Sequence, residues 1–164
     1  MTNGTAPTPR KRRDLAERFW AKVNKTAECW EWTASTMQGG YGKMRDNDSK
    51  YVGAHRISYE LEHGPIPDGM HIDHICHNRL CVRPDHLRLV TRKQNNEHMA
   101  GAYRNSKSGI RGVAWQKDKN KWRVQVGHNG KLHNVGYFAD FDEAAEAARL
   151  KRNELFTHND RDRK

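Results

Sequence analysis

The chain has 164 residues, enough for one mid-sized domain or two small ones, and only 35% of them are hydrophobic against 30% charged. No window holds 18 apolar residues, which excludes a transmembrane helix, and MTNGTAPTPRKRRD has no apolar stretch behind its basic residues, so no secretory signal is expected. A formal charge of +10 makes a polyanion the first partner to consider, nucleic acid before membrane.

Residues 1–13 read as a disordered basic arm. From Asp14, DLAERFWAKV places Leu15, Ala16, Phe19, Trp20 and Val23 at helical spacing, with Asp14 as N-cap. In CWEWTASTMQGGYGKMR the Trp30/Trp32 and Tyr41/Met44 pairs flank a Gly-Gly turn, which suggests a hairpin. HRISYELEHG reads as a short helix ending at Gly64, and PIPDG forces a turn. MHIDHICHNRLCVRPDHLRLV and TRKQNNEHMAGAY give strand, turn, strand and helix, with Thr91 as N-cap of the helix. Residues 101–108 are small, polar and breaker-rich, hence a linker. GIRGVAWQ, KWRVQVGH and LHNVGYF then read as three strands joined by DKN and NGK turns. DEAAEAARLKRNELF follows as a helix, with Asp142 as cap and Ala144, Ala145, Ala148, Leu155 and Phe156 along one stripe. The fold class is therefore α+β. A domain is expected over 14–100, a linker over 101–108, a three-stranded antiparallel sheet on one helix over 109–157, and a tail over 158–164.

Three cysteines do not make a disulfide framework, and an odd count without a secretory signal points to an intracellular, reducing setting where clustered thiols bind metal. Cys76, Cys81 and His86 follow one another at intervals of five, and Cys29 lies upstream beside Trp30. Together they supply four soft or borderline ligands, enough for a closed tetrahedral zinc site that would staple a domain with few aliphatic residues. Asp73 and His74 stand just before this cluster, and Asn95 and Asn96 lie on the following helix. A carboxylate and an amide oxygen suit a hard divalent cation such as Mg²⁺, and a neutral histidine beside them can take a proton from water. The combination suits phosphodiester hydrolysis.

In the last third, eight Lys/Arg lie between Arg104 and Lys131 against one acid, Asp118. In KWRVQVG, Trp122, Val124 and Val126 alternate with Arg123, Gln125 and Gly127, so one strand face packs on the helix and the other presents polar groups. Arg111, Trp115 and Lys117 are the matching outward set on the first strand. Such a sheet can enter the major groove of double-stranded DNA, where Arg reads guanine and Gln reads adenine.

The order strand–turn–strand–helix, with Asp73–His74 and Asn95, resembles the HNH (ββα-metal) endonucleases, and CWEW, GYGKMR and AHRISYELEHGPIPDGMHIDHIC are similar to phage and homing members. Cys29, Cys76, Cys81 and His86 resemble the zinc ligands of the His-Cys box homing endonucleases, a branch of the same fold. The resemblance implies His74 as general base, Asn95 as ligand of a catalytic divalent metal and Asp73 as its second ligand. Residues 105–157 resemble the Apetala2/ERF DNA-binding domain through SGIRGVAWQ, KWRVQV, LHNVGYF and DEAAEAARL. There Arg111 keeps the family's residue type at a reading position, while Gln125 and Asn134 occupy such positions with the type changed. The leading expectation is a two-domain endonuclease acting on double-stranded DNA without membrane attachment, as monomer or homodimer. The alternatives are a non-catalytic zinc-containing DNA-binding regulator and, disfavoured by a groove-reading sheet, a ribonuclease.

Overall fold

The computed structural model describes residues 13–99, 101–160 and 162–163, so the basic arm expected over 1–13 lies outside the described residues except for Arg13. The architecture is mixed α+β, built from small antiparallel sheets and four α-helices among the described residues. The described residues divide into two compact units, one of those up to 66 together with 78–88, the other of 67–77 together with those from 89 onward.

The first unit opens with α1, Leu15–Trp20, whose N-cap Asp14 accepts hydrogen bonds from the backbone N–H groups of Ala16 (2.9 Å) and Glu17 (3.4 Å). This satisfies donors that a helix start otherwise leaves open. The helix does not run on to Val23 as the spacing predicts. Val23 instead begins β1, Val23–Lys25, and sits opposite Trp32 of β2, Trp30–Trp32. The hairpin expected across Gly39-Gly40 is also corrected. Those glycines do turn the chain, at φ 94° and 81°, but the turn closes on a single bridge between Thr36 and Gly42. The strands on either side pair elsewhere, β2 with β1, and β3, Lys43–Arg45, with β4, Tyr51–Gly53. Trp32 explains why, because its ring lies so near Gly42 that a Cβ there would come within 2.5 Å of it. The indole is thereby turned into a core of Phe19, Met44, Ala54, Ile57 and Val82, with Phe19 stacked on Trp32 at 5.3 Å. Helix α2, Ala54–His63, gives Ala54 and Ile57 to this core and stops at Gly64, whose φ of 87° favours glycine.

Strand β5, His71–His74, forms a two-stranded sheet with β6, Leu87–Val90. Helix α3, Arg92–Glu97, follows, and its Thr91 and Gln94 make the reciprocal capping box. The strands β7, Val113–Gln116, β8, Lys121–His128, and β9, Lys131–Phe138, then form one antiparallel sheet in sequence order. Asn129 and Gly130, both at positive φ, make the β8–β9 turn that NG predicts. Strand β7 starts later than the pattern suggests, because Gly112 sits at φ 87° and accepts from the Gln125 N–H. Helix α4, Phe141–Leu155, packs Ala144 and Ala148 on Val113 and Val124. Its cap is Asp140, which accepts from the Glu143 N–H at 2.9 Å, not Asp142. Phe141 therefore opens the helix, and its ring meets Trp122 at 4.8 Å.

Candidate functional site

Cys29, Cys76, Cys81 and His86 offer ligand atoms that all lie within 4.8 Å of one another. The His86 Nδ1 is 3.7 Å from the Cys29 sulfur and 3.6 Å from the Cys81 sulfur. A tetrahedral ion with Zn–S near 2.3 Å and Zn–N near 2.0–2.1 Å requires S···N edges of about 3.6 Å. The donor set and its spacing therefore fit a zinc ion, and a Cys3His cluster able to bind zinc is present. Local structure explains the convergence. Arg83 donates to the carbonyl oxygens of Ala27 and Glu28 at 2.9 and 3.0 Å, holding the turn before Cys29 against the Cys81–His86 stretch. A bridge joins Glu31 to Cys81, and the Arg83 N–H points at the Cys81 sulfur from 3.5 Å.

Asp73 and His74 end β5, and both side chains are buried. Because neighbours on a strand face opposite sides, burial of both requires a partner on each side. For Asp73 that partner is His98, at the C-terminus of α3, whose Nδ1 lies 2.9 Å from both carboxylate oxygens. The ring of His98 is stacked on His77 at 4.1 Å, and its Nε2 lies 3.4 Å from a carboxylate oxygen of Asp160. Asn95, half-buried, is on α3, the helix that packs against β5, while Asn96 is exposed. Beside them Glu97 is buried. It pairs with Lys93 at 2.9 Å and accepts from the N–H and hydroxyl of Thr157 at 3.0 and 3.1 Å. Burial alone would raise the pKa of Glu97, but the donors Lys93, Thr157 and His158 outweigh it and hold the carboxyl below its ordinary value. Sequence reasoning passed over Glu97, His98, Thr157 and Asp160. Glu97 and His98 are marked only by the polar run QNNEH at the end of a short helix, and Thr157 and Asp160 by nothing in the sequence.

On the three-stranded sheet, Arg123 sits between Ala114 and Tyr137, and Gln125 lies opposite Asn134 with a 3.0 Å hydrogen bond between their amides. Trp115 faces otherwise than expected. It lies opposite Trp122 and makes an edge contact with it at 5.0 Å, so it shares the helix-side face and not that of Arg123. Lys117 is in a short 3-10 turn after β7. Arg111 precedes the sheet and donates to the carbonyl oxygens of Glu97 (2.9 Å) and Asn96 (2.8 Å), its guanidinium over Phe156. An open cleft of about 360 Å³ runs over this face, lined among others by Tyr103, Arg123, Gln125 and Leu132. Among the described residues no helix is long and apolar enough to cross a membrane.

With this geometry in view, residues 52–97 match the family model described as HNH endonuclease. The matched stretch contains β5, β6 and α3, with Asp73, His74, Asn95 and three of the four cluster residues. Protein 3.8 of Escherichia phage T7 is 42% identical over 76 residues, 46% of this chain and 62% of that protein. Protein 7.7 of the same phage is 41% identical over 80 residues, 49% of this chain and 61% of that protein. A mimivirus protein of Acanthamoeba polyphaga, named as an uncharacterized HNH endonuclease, is 32% identical over 103 residues, 62% of this chain and 52% of its own length. The chain thus spans about three fifths of the length of the two phage proteins. No solved structure matches it.

Proposed function

We propose that the chain is a metal-dependent endonuclease that hydrolyses phosphodiester bonds of double-stranded DNA, of phage or homing type. The observation that carries this reading is the coincidence of the HNH match with a buried Asp73–His74 pair, at the end of a strand packed on the helix that bears Asn95. His74 is the general base: its imidazole takes a proton from water as the oxygen bonds to phosphorus and the bond to the leaving sugar oxygen breaks. Asn95 and Asp73 hold the divalent cation, Mg²⁺ by the hardness of their oxygens. When bound, such a cation offsets charge on the phosphate and on the leaving oxygen. Cys29, Cys76, Cys81 and His86 hold a structural zinc that keeps the surrounding segments in register.

The sheet of residues 113–138 serves to place the enzyme on DNA. Arg123, Gln125 and Asn134 share a face suited to base edges, and Lys117 at its margin suits phosphate. Arg111, already donating to two carbonyl groups, contributes at the edge of that face, whereas Trp115, on the helix side, does not belong to it. The competing reading, a zinc-containing regulator that binds DNA without cutting it, separates in one experiment. Purified protein is incubated with supercoiled plasmid and phage DNA in Mg²⁺ or EDTA, beside His74→Ala. Nicking or linearisation that needs Mg²⁺ and disappears in the variant is the expected result. Binding without cleavage would establish the regulator, and cleavage unchanged by His74→Ala would remove the histidine from the mechanism.

A further inference from the structure

The segment after α4, which reads as a tail in the sequence, is tied to the helix that bears Asn95 through two consecutive residues. Glu97 receives Thr157 and His158, and His98 meets Asp160. Asn159, between these contacts, is buried and donates to Asn153 at 2.9 Å and to Asp162 at 3.0 Å. The segment is thereby anchored from its own side as well. His98 is almost wholly enclosed, its side chain only 2% exposed, with one ring nitrogen on Asp73, the other towards Asp160 and one face on His77. The imidazole is confined by its Nδ1 contact with Asp73, by the ring of His77 on one face and by the Asp160 carboxylate 3.4 Å from Nε2, an electrostatic approach outside hydrogen-bond geometry. Its partner Asp73 therefore presents its remaining lone pairs in one direction.

We infer that Asp160 is a positioning residue for the nuclease centre: it fixes the ring of His98, and His98 fixes the carboxylate of Asp73. The inference rests on the reading of Asp73 and Asn95 as ligands of a divalent cation, and it assigns residues 157–160 to the working of that site. A carboxylate ligand loses cation affinity or activity by about 10- to 100-fold when the groups orienting it are removed.

The test uses the full chain and two readouts, Mg²⁺-dependent plasmid nicking and binding of Mn²⁺ followed by electron paramagnetic resonance. Asp160→Ala should lower the nicking rate and weaken Mn²⁺ binding by about tenfold. The DNA concentration for half-maximal rate and the zinc content should not move. Asp160→Asn, which keeps an oxygen towards His98, should recover most of both. His98→Gln can still donate to Asp73 but has no second ring nitrogen for Asp160, so Asp160→Ala should cost nothing further in that background. Should Asp160→Ala fail to fold, Asp160→Ser serves the same comparison. Wild-type behaviour of Asp160→Ala, or a loss that adds in full to that of His98→Gln, would overturn the inference. A wild-type chain that binds Mn²⁺ in an Asp160-dependent way without cutting DNA would uphold the inference and remove the nuclease reading alone. A chain that binds no Mn²⁺ would remove both.

Discussion

The two units reach stability by different routes. The first has strands of only three residues and a core carried by aromatic rings, Phe19 and Trp32 with Trp20 and Trp30 at the margin. The last part of the second has two strands of eight residues joined by an Asn-Gly turn and a 15-residue helix laid along them. Strands of three residues give few ladder hydrogen bonds and little apolar area, so a unit made of them needs a cross-link. A zinc held by the Cys3His cluster, three of whose residues lie in the first unit, would be that cross-link, with the Arg83 contacts beside it; the sheet and its helix close their core with Val113, Val124, Ala144 and Ala148, flanked by Trp122, Phe138 and Phe141. On the proposed reading, metal chemistry completes one region and patterning the other.

The largest expected effect attacks the metal side of this contrast. Purified protein should carry about one zinc per chain by elemental analysis. Cys81→Ser, or a strong chelator, should remove it and unfold the first unit while the circular dichroism of the sheet and its helix persists. Zinc-free protein with an intact first unit would break the comparison outright. On the other side, Val124→Ala opens a cavity at a fully buried position and should cost about 2–3 kcal/mol in denaturant unfolding with zinc content unchanged. Gly112→Ala should cost about 1–2 kcal/mol, since φ is 87° and a Cβ would come within 2.7 Å of the Gln125 carbonyl oxygen. Asp140→Ala removes the cap of α4 and should cost about 1 kcal/mol, whereas Asp142→Ala should cost less.

The smallest effect is one of pH. Burial alone would raise the pKa of Asp162, but Arg152 and Asn159 bond to it and hold it below the ordinary carboxylate value. A depressed carboxyl contributes stability that is present above its unfolded pKa and lost as pH falls through the folded one. The loss should therefore begin below about pH 4, and Asp162→Asn should flatten that limb of the stability profile.

Most of the element order is legible in the sequence because its signals are local. Asp14 and Thr91 as caps, Gly64 as a stop and Asn129-Gly130 as a turn all act within a few residues of themselves. The metal cluster is legible for a different reason: it takes in all three cysteines, and Cys76, Cys81 and His86 follow at even intervals, and the structure brings those residues together with Cys29. Illegible were choices made by distant partners. The Gly-Gly turn says where the chain reverses but not that Trp30–Trp32 pairs backwards with Val23–Lys25. Trp115 follows the alternation of its own strand only if that strand starts at Arg111, and the close approach of Gly112 to Gln125 moves the start. His98 and Asp160 are 62 residues apart, so no periodicity could join them.

The division of the chain also sets an order of events during synthesis. The first unit lacks Val82 of its core, and two of its thiol and imidazole groups, until Asn78–Arg88 has left the ribosome. Residues 67–77 emerge earlier but, apart from Cys76 in the metal cluster, belong with segments made later. A nascent chain whose residue 88 is still within the ribosome should hence be sensitive to protease throughout, and one long enough for residue 88 to have emerged, once given zinc, should acquire a resistant N-terminal fragment.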